Sequence, residues 1–243
     1  MKNQRMLDEL TELMRIDVSS GQETEIAEHL VKKLEQMGFA ITRDEAGATF
    51  GGVCGNILAV REGEREGVAC FCSHMDRVPG GIGIKPVEED GILRSSGDTI
   101  LAADDLSGVA AILEGVRQAI ESGKALPKLE ILFTVGEEAG LYGAKAFDVS
   151  LLTSKTMYVL DSPGRIGRIV NGAPGRALLE AQVLLCTIPP RLIRLISVVS
   201  APIFTIRRPV ASITSSPAPS ASAIGFSTIR IFFVFKEELA IRS

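Results

Sequence analysis

The sequence predicts an α/β fold in which a mixed or parallel sheet carries helices on both faces. Three observations lead there. Apolar stretches of strand length alternate with helical stripes from Met6 to Asp161. The run Leu129–Val135 is largely apolar, as in a strand buried on both faces. His74, Glu137, Glu138 and Asp161 each follow such a run closely. In open α/β sheets, ligands gather beyond the carboxyl ends of the strands.

The elements follow in order. Met6, Leu7, Leu10, Leu13 and Met14 form a helical stripe with charges on the opposite face. Ser20 followed by Glu23 has the spacing of a capping box, and Ile26, Leu30, Val31, Leu34 and Met37 mark a second helix that stops at Gly38. His29 lies in that helix and reads as a surface or boundary residue. Strands are predicted at Phe39–Thr42, Asn56–Val60 and Val68–Cys72. From Val78 to Asp98 the chain reads as a loop, with Pro79-Gly80-Gly81 and Asp90-Gly91 as turn markers. Val109, Ala110, Ile112, Leu113, Val116 and Ile120 make a strong helix closing at Gly123. The strand Leu129–Val135, a short helix near Tyr142–Phe147 and a strand Met157–Leu160 complete the series.

With 243 residues, 46% of them hydrophobic, the chain can bury a real core as one large or two small domains. A net charge of -4 offers no basic footprint, so neither nucleic acid nor a membrane is expected as a partner. Met1-Lys2-Asn3-Gln4-Arg5 leads into a charged helix rather than a secretory leader, and no apolar run reaches the ~18 residues of a membrane span. Cys54, Cys70, Cys72 and Cys186 have no zinc-ribbon or redox spacing and read as buried thiols. A cytoplasmic protein is expected.

The chemistry concentrates in four segments. His74 and Asp76 stand two residues apart at the end of a strand, so one ring nitrogen of His74 can meet a metal while Asp76 holds the other N–H. Asp104 is a hard oxygen donor able to bridge two cations. His74 and Asp161 would complete one metal site and Glu138 would serve a second. Glu137, left free, suits a general base beside the metals. Taken singly, Glu137-Glu138 would pass for a solvated turn and Asp104-Asp105 for a helix N-cap pair. Their joint arrival at one sheet edge favours a metal centre.

His74-Met75-Asp76, Ala103-Asp104-Asp105-Leu106-Ser107-Gly108, Thr134-Val135-Gly136-Glu137-Glu138-Ala139-Gly140 and Leu160-Asp161-Ser162 resemble the M20 family of zinc metallopeptidases, which contains peptidase T, carboxypeptidase G and the aminoacylases. Gly81–Val87 and Asp98–Leu101 resemble its peptidase T-like, tripeptidase-type branch. The resemblance implies a zinc-exopeptidase-like catalytic domain and a co-catalytic dizinc site, with cobalt or manganese as alternatives to zinc. It implies hydrolysis of short peptides or of N-acyl amino acids. Asp104 would bridge, His74, Glu138 and Asp161 would be terminal ligands, Glu137 the catalytic base and Asp76 the orienter of His74. A cis peptide at Asp104–Asp105 is expected with it. Arg77 stands where the family commonly has Thr, a departure that bears on substrate contacts and not on the metal. Intact relatives would form homodimers through a lid domain.

The resemblance covers residues 1–176. Beyond it the chain should carry a lid with a Gly-Lys-Ala-Ala-His-like segment and a last histidine ligand, yet His29 and His74 are the only two histidines. No Asp follows Asp161, Gly225 is the only glycine after Gly175, and Lys236 is the only lysine after Lys155. Residues 177–243 therefore read as a frameshifted or degenerate tail without the lid and the C-terminal catalytic portion. As an alternative, Ser215–Ser220 is a Pro/Ser linker before a β-rich segment at Thr228–Phe235. On these grounds the chain is expected to be an impaired hydrolase, the alternative being a non-catalytic remnant that acts as a binding or assembly partner.

Overall fold

The computed structural model describes residues 4–162, 164, 167–170, 175–185 and 227–237. The chain divides into two compact units, 1–166 and 167–243. In the first unit, α1 (Gln4–Arg15) buries Leu13 and Met14, and α2 (Thr24–Gln36) buries Ile26, Ala27, Leu30, Val31 and Leu34. These are the apolar stripes expected from the sequence. Gly38, with φ +82°, takes the left-handed conformation that ends α2.

The strands follow as β1 (Ala40–Arg43), β2 (Ile57–Arg61), β3 (Val68–His74), β4 (Pro86–Glu89) and β5 (Ile92–Ser95). After them come α3 (Ala103–Glu121), β6 (Lys128–Thr134), α4 (Tyr142–Ala146) and β7 (Met157–Val159). Five strands form one mixed sheet in the order β1-β2-β6-β3-β7. β1 and β2, and β2 and β6, pair antiparallel, whereas β3 runs parallel to both β6 and β7. The carboxyl ends of β3, β6 and β7 therefore lie along one edge, with His74 opposite Thr134.

The sheet's two faces are unequal. Ile57, Ala59, Ile131 and Phe133 meet α1, α2 and α3 through Leu13, Leu30, Leu34, Leu106 and Leu113. Each such side chain contributes about 1.5–3 kcal/mol on burial, so this larger cluster dominates the fold. On the opposite face, Leu58, Cys72 and Leu132 meet Phe147, which follows α4, with Leu152 and Met157 at the margin. Buried Glu130 accepts hydrogen bonds from the Thr153 and Ser154 amides at 2.8 and 3.0 Å. It thereby anchors the loop that leads into β7.

Two sequence expectations need correction, and one residue proves structural. The capping box does not form: Glu23 is at the N-cap of α2 but makes no side-chain cap, and Ser20 bonds elsewhere. The stretch 78–98 is not all loop, because β4 and β5 pair as a hairpin across Asp90 and Gly91, both at positive φ. Arg77 is 1% exposed and faces inward. Its guanidinium donates to the carbonyls of Leu13, Met14, Ile16 and Gly81, tying the end of α1 to the loop after β3. The residue thus has a structural role in this fold.

In the second unit, β8 (Gly175–Leu185) and β9 (Ser227–Glu237) pair antiparallel along their full length. β9 contains the expected β-rich segment, β8 had no counterpart among the expected elements, and Ser215–Ser220 lies outside the described residues. No helix among the described residues is long and apolar enough to cross a membrane.

Candidate metal centre

His74 is the last residue of β3 and is 2% exposed. Its Nδ1 faces two acceptors of Asp76, the carbonyl oxygen at 3.2 Å and Oδ1 at 3.3 Å. Both partners can only accept, so Nδ1 carries the hydrogen and Nε2 points into the site. Asp76 is itself fully buried and well supplied with donors. Its Oδ1 accepts from the Glu137 amide at 3.0 Å, and its Oδ2 accepts from the Glu138 amide at 3.1 Å and from Ser20 Oγ. Burial opposes the charge, but the His74 ring, the Ser20 hydroxyl and the Glu137 amide together hold the Asp76 carboxyl below its ordinary range.

Asp104 enters from the start of α3. The Asp104–Asp105 peptide is cis, as expected, and both residues have non-helical angles. Asp104 Oδ1 lies 3.1 Å from His74 Nε2, with its side chain 71% exposed toward solvent. Asp105 turns the other way, into the protein, where Ser73 Oγ donates to it. Burial outweighs that bond and pushes the Asp105 carboxyl up to about 7. Gly108, one turn on, has no room for a side chain, since a Cβ would sit 2.4 Å from Asp105 Oδ1 and 2.6 Å from the Leu160 carbonyl. Gly108→Ala is expected to cost about 1–3 kcal/mol, seen as a lower urea midpoint.

Glu137 and Glu138 follow β6 through Gly136. That glycine has φ +58°, and a Cβ there would meet Phe50 at 2.5 Å. Glu137 Oε2 stands 3.9 Å from His74 Nε2. Asp161 follows β7, whose next residue, Leu160, donates its amide to the Cys72 carbonyl at 3.0 Å.

Two sets of donors result. His74, Asp104 and Asp161 bring their ligand atoms within 4.8 Å of one another, and so do His74, Glu137 and Glu138. Every site residue expected from the sequence is therefore in one cluster, with Asp76 behind it. Glu137, expected to stand free, lies 3.9 Å from His74 and falls in the same donor set as Glu138.

The charges fit a divalent cation. Burial first, then mutual repulsion, raises the carboxyls of Glu137, Glu138 and Asp161 above their ordinary range. Burial works against the His74 imidazolium, but Asp76 and Asp104 override it and push the ring up to about 10. Among the described residues no lysine or arginine pairs with Asp104, Glu137, Glu138 or Asp161. Oxygen donors around one imidazole, short of positive charge, are a donor set suited to zinc, manganese or cobalt.

A third group, Glu9, Glu12 and His29, is different. Lys33 Nζ sits 2.9 Å from both carboxylates and supplies their cation, and Arg117 reaches Glu9 at 3.1 Å. His29, 22% exposed beside them, is the boundary residue expected.

Sequence reasoning missed Ser20 and Glu23 as supports of the centre, because a local capping signature concealed them. Glu23 is fully buried and its Oε1 accepts from the amides of Gly21 at 2.9 Å and Gly136 at 3.0 Å.

Comparison with known proteins bears on the fold and the family likeness. The sequence model of Peptidase family M28 matches residues 56–169, a different peptidase family from the M20 family that the motifs resemble. The chain is 38% identical over 184 residues to the uncharacterized protein YqjE of Bacillus subtilis (strain 168), covering 75% of this chain and 50% of that protein. Among solved structures, it is similar to aminopeptidase PepT from Bacillus cereus ATCC 10987, with a TM-score of 0.73 and 32% identity. A tripeptidase from Staphylococcus aureus subsp. aureus mu50 gives 0.75 and 30%. Each covers 95% of this chain, which spans 65% of theirs. The α/β fold is thus that of PepT-type catalytic domains.

Proposed function

We propose that this chain carries the N-terminal portion of the catalytic domain of an M20-type, peptidase T-like metallopeptidase that hydrolyses short peptides. The observation that supports this reading above the others is the convergence of His74, Asp104, Glu137, Glu138 and Asp161 beyond three parallel strands, with the His74 tautomer set by Asp76. The likeness to PepT and to a tripeptidase favours peptides over N-acyl amino acids as substrates. Residues 1–176 belong to the catalytic portion in this reading, and 177–243 depart from it. Free Cys54, Cys70 and Cys72, pushed by burial up to about 11, 11 and 12, suit a reducing cytoplasm.

In this reading His74, Asp104 and Asp161 would hold one ion, and Glu138 together with Asp104 would hold a second. Zinc, once bound, supplies Lewis acidity toward the scissile carbonyl and toward water. Glu137 takes the proton from the attacking water as the new C–O bond forms, and delivers it to the amine as the C–N bond breaks. Asp76 keeps Nδ1 of His74 protonated, so Nε2 remains a donor to metal. His29 is engaged with Glu9 and Glu12, so His74 is the only imidazole of this chain at the centre.

The test is metal analysis of the purified chain. At most one firmly held zinc per chain is expected, lost in His74→Ala, with weak turnover of a tripeptide. Two zincs per chain with full peptidase turnover would sink the proposed impairment, and no zinc at all would sink the metal reading.

A second reading is a mononuclear centre of His74, Asp104 and Asp161, favoured by the closeness of those three donors. In that case Glu138→Ala should leave turnover nearly unchanged, and a large loss rules it out.

A further inference from the structure

The residues joining α1 to α2 belong to neither donor set, yet they touch the centre from behind. We propose, building on the metallopeptidase reading, that Ser20 is a positioning residue for the metal centre, held in place by Glu23.

Asp76 has two carboxylate oxygens and four donors. The His74 ring and the Glu137 amide converge on Oδ1, while the Glu138 amide and the Ser20 hydroxyl converge on Oδ2. Three of the four come from residues of the centre itself. Ser20 alone comes from outside, reaching Asp76 across 56 residues of sequence. Each donor on a buried carboxylate adds to what fixes its orientation. Without the hydroxyl, Oδ2 keeps a single amide donor and the group is held less firmly about its Cβ–Cγ bond. A turn there would disturb the His74 ring on one side and the Glu137-Glu138 backbone on the other.

The hydroxyl is itself held from the same loop. Glu23 Oε1 accepts the amide of Gly21, next to Ser20, and that of Gly136, next to Glu137. The Gly21 carbonyl accepts from the Val53 amide at 3.0 Å, which fixes the loop from outside. Ser20, Asp76, the Glu137-Glu138 turn, Gly136, Glu23 and Gly21 thus form a closed ring of hydrogen bonds and chain. Ser20 belongs to neither donor set and reaches the centre through Asp76.

The experiment is a calorimetric zinc titration of the metal-free full chain as wild type, Ser20→Ala and Ser20→Thr, with thermal melting of each metal-free form. Ser20 is partly buried, and its truncation to alanine removes a single oxygen atom. Ser20→Ala is expected to weaken zinc binding about 3–10-fold, less than the roughly 10–100-fold of losing a direct partner of a ligand such as Asp76, while metal-free melting stays unchanged. Ser20→Thr keeps the hydroxyl and is expected to recover most of the affinity. Equal affinity in wild type and Ser20→Ala overturns the positioning role alone. So does a loss that threonine fails to restore, or one matched by an equal drop in metal-free melting. A wild-type chain that takes up no zinc overturns the metallopeptidase reading, and the role of Ser20 falls with it.

Discussion

Arg77→Ala is expected to lower stability by about 3–5 kcal/mol, out of the roughly 5–15 kcal/mol that holds a typical domain. The carbonyls of Leu13, Met14 and Ile16 come at the end of α1, where helical amides run out, although Leu13 still accepts from the Ile16 amide at 3.2 Å. The guanidinium donates to all three and to the Gly81 carbonyl. Alanine would remove that donor from four acceptors, leaving Leu13 only its Ile16 amide, and open a void beside them. The cation needs no carboxylate in contact, because helix carbonyls carry the negative end of the dipole. Burial nonetheless holds its pKa below the ordinary arginine value. Lysine, a point donor in place of a planar fork, should restore only part of the loss. The measurement is the urea midpoint of Arg77→Ala, Arg77→Lys and wild type at constant slope. A midpoint for alanine within about 1 kcal/mol of wild type would show that the clamp is not needed.

The second large effect is on chemistry. Glu137→Gln is expected to reduce tripeptide turnover roughly 10²–10⁴-fold while zinc content stays the same. Glutamine matches glutamate in size, and the residue-137 amide still donates to Asp76, so the turn keeps its place. What is lost is a group able to accept a proton 3.9 Å from Nε2 of His74. Turnover that survives the substitution at full rate would assign the activity to another group or to a contaminating peptidase. Zinc content measured on the same sample separates a lost base from a lost metal.

The sheet and its edge of donors were legible because they rest on strong local signals. Leu129–Val135 is too apolar to lie on a surface, and Ile26, Leu30 and Leu34 repeat at a helical interval that leaves one buried stripe. His74, Glu137 and Asp161 follow strands, so the parallel pairing of β3 with β6 and β7 brings them together with little further choice. What escaped was decided by tertiary partners. Ser20 and Glu23 have the spacing of a helix cap, but a buried carboxylate at Asp76 and two amides at Gly21 and Gly136 are better partners than the first turn of α2. Arg77 stood out only as a departure from the family's usual Thr. Nothing in the sequence shows that α1 ends against it. The β4–β5 hairpin was hidden by strands of four residues with charged and apolar side chains mixed, so that only its Asp90-Gly91 turn stood out.

The parallel half of the sheet also governs the order of assembly. His74 pairs with Thr134, 60 positions later, and Cys72 pairs with Val159, 87 positions later. Closing such loops costs chain entropy before any contact repays it, which places this chain among slower folders of high contact order. The donors at residues 74, 104, 137, 138 and 161 are scattered until those pairings exist, so the unfolded ensemble holds no preformed cage for an ion. A cation would therefore recognise the native state almost alone. It would act by mass action as a thermodynamic lock, adding about 2.7 kcal/mol at a hundred times its dissociation constant.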